Sequence, residues 1–302
     1  MTTAKETRSA SLRTAGAVFL TAALTSISAY AVEVSDLYVM RRPAEAAAGA
    51  SDEGDLYRVD EANGADTAIV GSWNGFTSIA SDGGLGAYVV QHDSIWYLSF
   101  VGGNEGQRTL VSNAAWSGPT LLAYGAYTSG STVVQSLTAW QGDRLYKVNP
   151  STGAVAQLGT KAWTDQDAMV YLNHNNNGDG NDLFVVQADA LWRVNVSTGA
   201  FAPVGGGDWS DTSAMTTDGT TLYVACQNHL YKANPSTGSS TDLGGGWYST
   251  TAFTFFNGWL YAIDGSDLYR IDPATGSTTL LGTANSWPGI NLMTFRNYNV
   301  GP

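Results

Sequence analysis

One phrase recurs six times along the 302 residues of this chain. It reads LYRVDEANG from Leu56, LYKVNPSTG from Leu145, LWRVNVSTG from Leu191, LYKANPSTG from Leu230 and LYRIDPATG from Leu268, with a degenerate copy, IWYLSFVGG, from Ile95. Along the chain, successive starts lie 39, 50, 46, 39 and 38 residues apart. A period near 40 residues belongs to solenoids and propellers, since one unit of that size cannot bury its own apolar face. Strand content selects the propeller.

Each unit divides into four strands. In the unit around residue 215 these are SAMTT (A), TLYVAC (B), HLYKAN (C) and SSTDLG (D). The C–D connection reads Asn/Asp-Pro-x-Thr-Gly in three units. There the Asn or Asp opens a turn, Pro presets φ and Gly takes the left-handed position. The ends fit a ring. Asp36 to Met40 reads as a strand B, followed by C and D from Leu56, and Asn291 to Phe295 reads as a lone strand A. Joined, they complete one blade and remove the open sheet edges. The expectation is an all-β, six-bladed propeller of four-stranded blades. A count of five or seven would require a miscounted unit within the irregular stretch from Gly84 to Trp140.

Composition agrees. Thirty-five Gly, 13% charged residues and 11% aromatics suit short buried strands and tight turns. Outside the N-terminus no stretch reads as an amphipathic helix. The single cysteine, Cys226, excludes a disulfide framework and reads as a small buried hydrophobe rather than a nucleophile. A net charge of −12 disfavours nucleic acid and anionic membranes as partners.

Residues 1–31 read as a signal peptide, with Lys5, Arg8 and Arg13 before the nearly uncharged stretch Ala15 to Ala29 and a small-x-small site at Ala29-Tyr30-Ala31. The alternative, an uncleaved anchor, has an apolar segment that is short for a span and dilute in Leu and Ile. The expectation is export to the extracellular space or cell surface, a propeller over residues 32–302, and no membrane insertion after cleavage.

Just after strand D every unit places a tryptophan: Trp73, Trp116, Trp163, Trp209, Trp247 and Trp287. Each lies on the loop from the outer edge of one blade to the inner strand of the next, so the six share one face. Two readings follow, which do not exclude one another. The indoles are wedges between blades, or they are platforms for the apolar face of a sugar. The B–C hairpins emerge on the same face. They carry Gln91 and Asp93, Gln141 and Asp143, Gln187 and Asp189, Gln227 with His229, and Asp264 with Asp267. Amide, carboxylate and indole together are what a neutral sugar needs. Equally, Asp and Gln serve hairpin turns on their own account.

The unit GGGWYSTTAFTFFNGWLYAIDGSDLYRIDP (Gly244 to Pro273) resembles the repeat of tachylectin-type β-propeller lectins. Those repeats also run GGW, an apolar strand, LY-x-V and then LYR or LYK. The resemblance extends loosely over all six units and is best in the last three. It implies multivalent binding of N-acetylated amino sugars, with Trp209, Trp247 and Trp287 among the site residues and a cell-surface glycoconjugate as partner. Six units rather than that family's five, and the Pro-x-Thr-Gly turns, are departures from it.

Other motifs say less. The run Asn173 to Asp182 joins strands A and B of one blade and alternates side-chain oxygens around Asp-Gly, as calcium loops do. Asn175, Asn177, Asp179 and Asp182 are its candidate calcium ligands, although a solvated polar turn reads equally from the same residues. Three dispersed histidines have no metal-ligand spacing, and neither a nucleophile elbow nor a phosphate loop is present. Arg41 to Asp55 reads as a loop too polar for a core. Asn195-Val196-Ser197 is a glycosylation sequon falling on the repeat's turn. The expectation is a non-catalytic binding module that needs no cofactor beyond possible calcium: a multivalent lectin, or alternatively a protein-interaction propeller whose Trp ring packs the blades.

Overall fold

The structure is a computed structural model and describes residues 32–41, 54–71, 75–116, 120–129, 132–172 and 182–300. The expected signal peptide, most of the loop after Arg41, Trp73, and Asn175, Asn177 and Asp179 lie outside the described residues.

Six four-stranded antiparallel sheets form the blades. Blade 1 joins the two ends of the chain: β1 (Val32–Arg41), β2 (Asp55–Val59) and β3 (Asp66–Val70) continue a sheet whose inner strand is β24 (Ile290–Val300). Blade 2 holds β4 (Phe76–Ser81), β5 (Gly86–Gln91), β6 (Ser94–Ser99) and β7 (Arg108–Ser112). Blade 3 holds β8 (Thr120–Ser129), β9 (Thr132–Gln141), β10 (Arg144–Val148) and β11 (Val155–Gln157). Blade 4 holds β12 (Gln166–Leu172), β13 (Asp182–Gln187), β14 (Ala190–Asn195) and β15 (Phe201–Pro203). Blade 5 holds β16 (Thr212–Thr217), β17 (Leu222–Cys226), β18 (His229–Ala233) and β19 (Ser240–Gly245). Blade 6 holds β20 (Thr250–Phe256), β21 (Trp259–Asp264), β22 (Asp267–Ile271) and β23 (Thr278–Leu281). The closing ladder runs from Val32 opposite Val300 to Arg41 opposite Ile290. The irregular stretch resolves into blades 2 and 3, where the unit lengthens through a 3-10 turn at Gly102–Asn104 and a long β8–β9 hairpin.

Burial explains the strand sequences. The second strand of a blade is covered on both faces by its neighbours, so β5, β13 and β17 are buried at every position and read as continuous apolar runs. The third strand is buried at its second and fifth positions, and the fourth, at the rim, is largely exposed. Near the start of the inner strand, β4, β12, β16 and β20 each carry a β-bulge, at Thr77, Asp167, Ser213 and Thr251. A bulge bends the strand and re-aims one side chain.

Two seams bind neighbouring blades. In the first, four of the loop Trp meet the aromatic of the next blade's LY or LW phrase. Trp116 stands edge-on to Tyr146, Trp163 to Trp192, Trp209 to Tyr231 and Trp247 to Tyr269, with centroids 5.7–6.3 Å apart. At the closing seam the Arg41 guanidinium lies between Tyr57 (4.5 Å) and Trp287 (5.1 Å). In the second seam, the C–D turn of one blade touches the outer strand of the blade before it. The Asn149 side-chain oxygen accepts from the Ser151 and Thr152 amides, and Gly153 then turns left-handed at φ +69°. A Cβ on Gly153 would stand 1.9 Å from the Val111 carbonyl oxygen of β7, and one on Gly276 equally close to that of Leu243 in β19. Glycine is therefore required twice at this position, by conformation and by contact.

Candidate functional site

The Trp loops and B–C hairpins do share a face. The amides of Trp116, Trp163 and Trp209 donate to the carbonyls of Asp93, Asp143 and Asp189 at 2.8–3.0 Å. The Trp247 and Trp287 amides donate in the same way to Asn228 and Ser266. The hairpins at His92-Asp93, Ala188-Asp189 and Gln227-Asn228 have positive φ at both central residues, the turn that twists with its strands.

The indoles answer to the wedge reading. Trp116, Trp209 and Trp287 are 2% exposed and Trp163 is 1%, so none of these four offers a free ring face. Lys161 lies over both Trp163 and Trp192 at 4.6 Å. Trp247 is half-buried, and beside it Tyr248 is 74% exposed, the most open large aromatic among the described residues.

The hairpin amides fasten loops. Gln187 donates to the Thr164 hydroxyl, Gln227 to that of Ser210 and Gln141 to the Ala115 carbonyl, while Gln91 accepts from Arg108. Asp143 pairs with Arg144 at 3.3 Å, His229 with Asp242 at 2.9 Å, and Asp264 accepts from Ser249 and Thr250. Asp267 accepts from the Asn285 amide and the Tyr269 hydroxyl. Of the candidate calcium ligands only Asp182 is described. It is buried and paired with Arg193 at 2.5 Å. Among the described residues no group of three or more His, Cys, Asp or Glu is placed to hold a metal.

Two features emerge that the sequence pattern had not singled out. Down the ring axis runs a cavity of about 320 Å³ lined by all six inner strands, including Asp82, Tyr124, Tyr171, Thr217, Thr254 and Phe295. Gly125 leaves room there for the Tyr171 ring, which a Cβ would meet at 2.0 Å. Beside it the Tyr97 hydroxyl donates to Asp82 at 2.8 Å, and burial, then the Asp82 charge, raises the Tyr124 pKa to about 12. The second feature is Asp167, the bulge residue of β12, which stands near the Trp163 loop at the edge of blade 4. Burial, then the charges of Asp165, Asp189 and Asp211, pushes the Asp167 carboxyl up to about 6. The available signal was positional. Asp165 and Asp211 each stand two residues after a wedge Trp, both at left-handed φ, and Asp167 is the bulge residue.

No family model and no curated protein matches this chain. Among solved structures, a chain from the crystal structure of a nidogen/laminin complex aligns with a TM-score of 0.63 at 15% identity, covering 87% of this chain and 98% of that one. A protein from Lactobacillus plantarum aligns with a TM-score of 0.52, also at 15% identity, covering 87% of this chain and 99% of its own. The likeness is one of fold. It supports a β-propeller and does not reach the lectin family suggested by the Gly244 to Pro273 unit.

Proposed function

We propose that this chain is an exported, non-catalytic interaction propeller that binds a protein partner through the face bearing the Trp loops and B–C hairpins. The observation that carries this reading is the burial of four indoles in the blade seams. With the rings spent on closure, the face presents carboxylates, loop backbone and the exposed Tyr248, a surface of hydrogen-bonding groups around one aromatic anchor. The nidogen/laminin complex is an instance, at the level of fold, of such a structure solved with a partner protein. A second reading keeps the sugar. Half-buried Trp247 beside exposed Tyr248, in the loop that resembles the lectin repeat, would form one platform for an N-acetylated amino sugar.

Photo-crosslinking from Tyr248 on this face and from Thr220 on the opposite face separates the outcomes. The reading expects a discrete protein adduct from position 248 alone. Equal adducts from both faces, or a glycan-array signal lost in Trp247→Ala with no protein adduct, would overturn it.

A further inference from the structure

We infer that the axial cavity is a binding site for a small organic monocation, an ammonium group carried on an apolar or aromatic body. The inference goes beyond the partner-protein reading and does not depend on it. The lining begins at the third or fourth residue of each inner strand and reaches Asp82 and Gly83 in the β4–β5 hairpin, so the cavity occupies the half of the axis away from the Trp loops. Each blade contributes one residue to an apolar collar: Ile79, Leu122, Met169, Met215, Phe253 and Met293. Ladder register sets them at one level. Five stand two residues after the bulge of their inner strand, and Leu122, in the one inner strand whose ladder has no bulge, comes a position earlier. Three methionines in the collar suit an apolar guest, because an unbranched thioether adapts its shape to what it meets. The volume of about 320 Å³ falls at the small end of the range that holds compact ligands.

Two further observations name the guest. Thr254 and Thr294 line the cavity at 6% and 3% exposure, and among the described residues neither hydroxyl makes a hydrogen bond. The equivalent Thr216 differs, since its hydroxyl accepts from the Phe255 amide of the next blade. Buried polar groups are nearly always paired, so two open hydroxyls on one wall leave hydrogen bonds for a guest to complete. Asp82 is the one charged residue among the described lining. Its carboxylate is fixed in place, with Oδ1 accepting from the Gly84 and Gly86 amides at 2.8 and 3.0 Å and Oδ2 from the Tyr97 hydroxyl at 2.8 Å. Among the described residues no Lys, Arg or His forms an ion pair with it. Tyr124, Tyr171 and Phe295 bring aromatic residues to the lining at the level of its neighbour Ser81. A carboxylate and aromatic rings above an apolar collar suit an ammonium with a hydrophobic body. No Lys, Arg or His lines the cavity to hold an anion. A hard divalent metal needs several oxygens from charged or carbonyl groups, where this wall offers one carboxylate among apolar side chains.

The test titrates the full chain with phenethylammonium, neutral 2-phenylethanol and anionic 3-phenylpropanoate, which present the same aromatic body, followed by calorimetry and amide NMR. The expected result is one saturable site for the cation, with shifts centred on residues 79–86, 122–125, 169–171 and 215–217, and at least tenfold weaker binding of the anion. Asp82→Asn should weaken the cation at least fivefold and 2-phenylethanol less than twofold. Asp93→Asn removes the same charge from the Trp face and should leave both within twofold. Thr254→Val/Thr294→Val should weaken both compounds. Equal affinity for all three compounds would reduce the cavity to an apolar hole and overturn the inference on the unaltered chain, whether or not the variants fold. So would the absence of saturable cation binding, or shifts confined to the Trp loops. Equal losses in Asp82→Asn and Asp93→Asn would assign the effect to net charge and overturn it as well.

Discussion

Replacing Gly153 with alanine measures how tightly one blade is seated on the next. Two costs are expected. The left-handed φ of +69° is unfavourable for any L side chain by about 1–2 kcal/mol. The new Cβ would also stand 1.9 Å from the Val111 carbonyl oxygen, and that neighbour is strand backbone with no flexible end to yield. Contact at an ordinary distance requires the two blades to part locally by more than about 1 Å, an overpacking cost of about 1–3 kcal/mol. Gly142 supplies the control, because its φ is +58° and a Cβ there meets nothing within 4 Å. Gly142→Ala should therefore lose only the conformational 1–2 kcal/mol. The further 2 kcal/mol or so in Gly153→Ala corresponds to an additional fall in melting temperature of about 4–8 °C for a chain of this size. Thermal unfolding followed by circular dichroism reads the difference. Equal melting temperatures for the two variants would refute the idea that the seam is a backbone contact.

Other outcomes follow from the same geometry. Trp163→Ala should destabilise by about 3–5 kcal/mol, as loss of a buried aromatic does, whereas Tyr248→Ala should stay within about 0.5 kcal/mol in the same urea titration. Asp167 has a folded pKa near 6 against an ordinary 3.8, so its contribution to stability is complete below about pH 4 and is lost as pH rises through 6. Asp167→Asn should match the wild type near pH 3 and exceed it at pH 7.5 by about 1 kcal/mol, after screening of this part-exposed group is allowed for. Comparing melting temperatures across that window checks both sign and size. Arg193→Met strands the buried Asp182 carboxylate and should cost on the order of 2 kcal/mol, recovered largely by adding Asp182→Asn in a double-mutant cycle.

The fold was legible because its signals are local. Asn149, Asn234 and Asp272 cap their own turns within three residues, and LYVAC announces a strand buried on both sides without reference to anything distant. The role of the tryptophans was not legible in the same way. What covers Trp163 is Trp192 of the next blade, and nothing around residue 163 tells which indole face that neighbour takes. The surroundings of Asp167 were harder still. Asp189 was visible as a hairpin residue, but its companions come from two other loops. The bulge at Asp167 and the left-handed turns at Asp165 and Asp211 are features of the folded backbone that no local motif announces. The glycine at the fifth position of the C–D turn was read for its conformation, while its second requirement, the carbonyl of the preceding blade, is a property of the ring.

The ladder between β1 and β24 also sets a clock on biogenesis. A ribosome delivers Val32 first and Val300 last, so β1 waits with one edge unpaired while every other blade is made. During that interval the nascent chain carries an open strand, the kind of edge that recruits other chains. Once β24 emerges the edge disappears, and loosening blade 1 thereafter means breaking a ladder that holds the first and last strands of the ring together. A protease that clips the C-terminal strand would return the molecule to its unfinished state. The vulnerable moment of this protein is therefore its synthesis, and its durability afterwards depends on the ladder that the final strand of the ring completes.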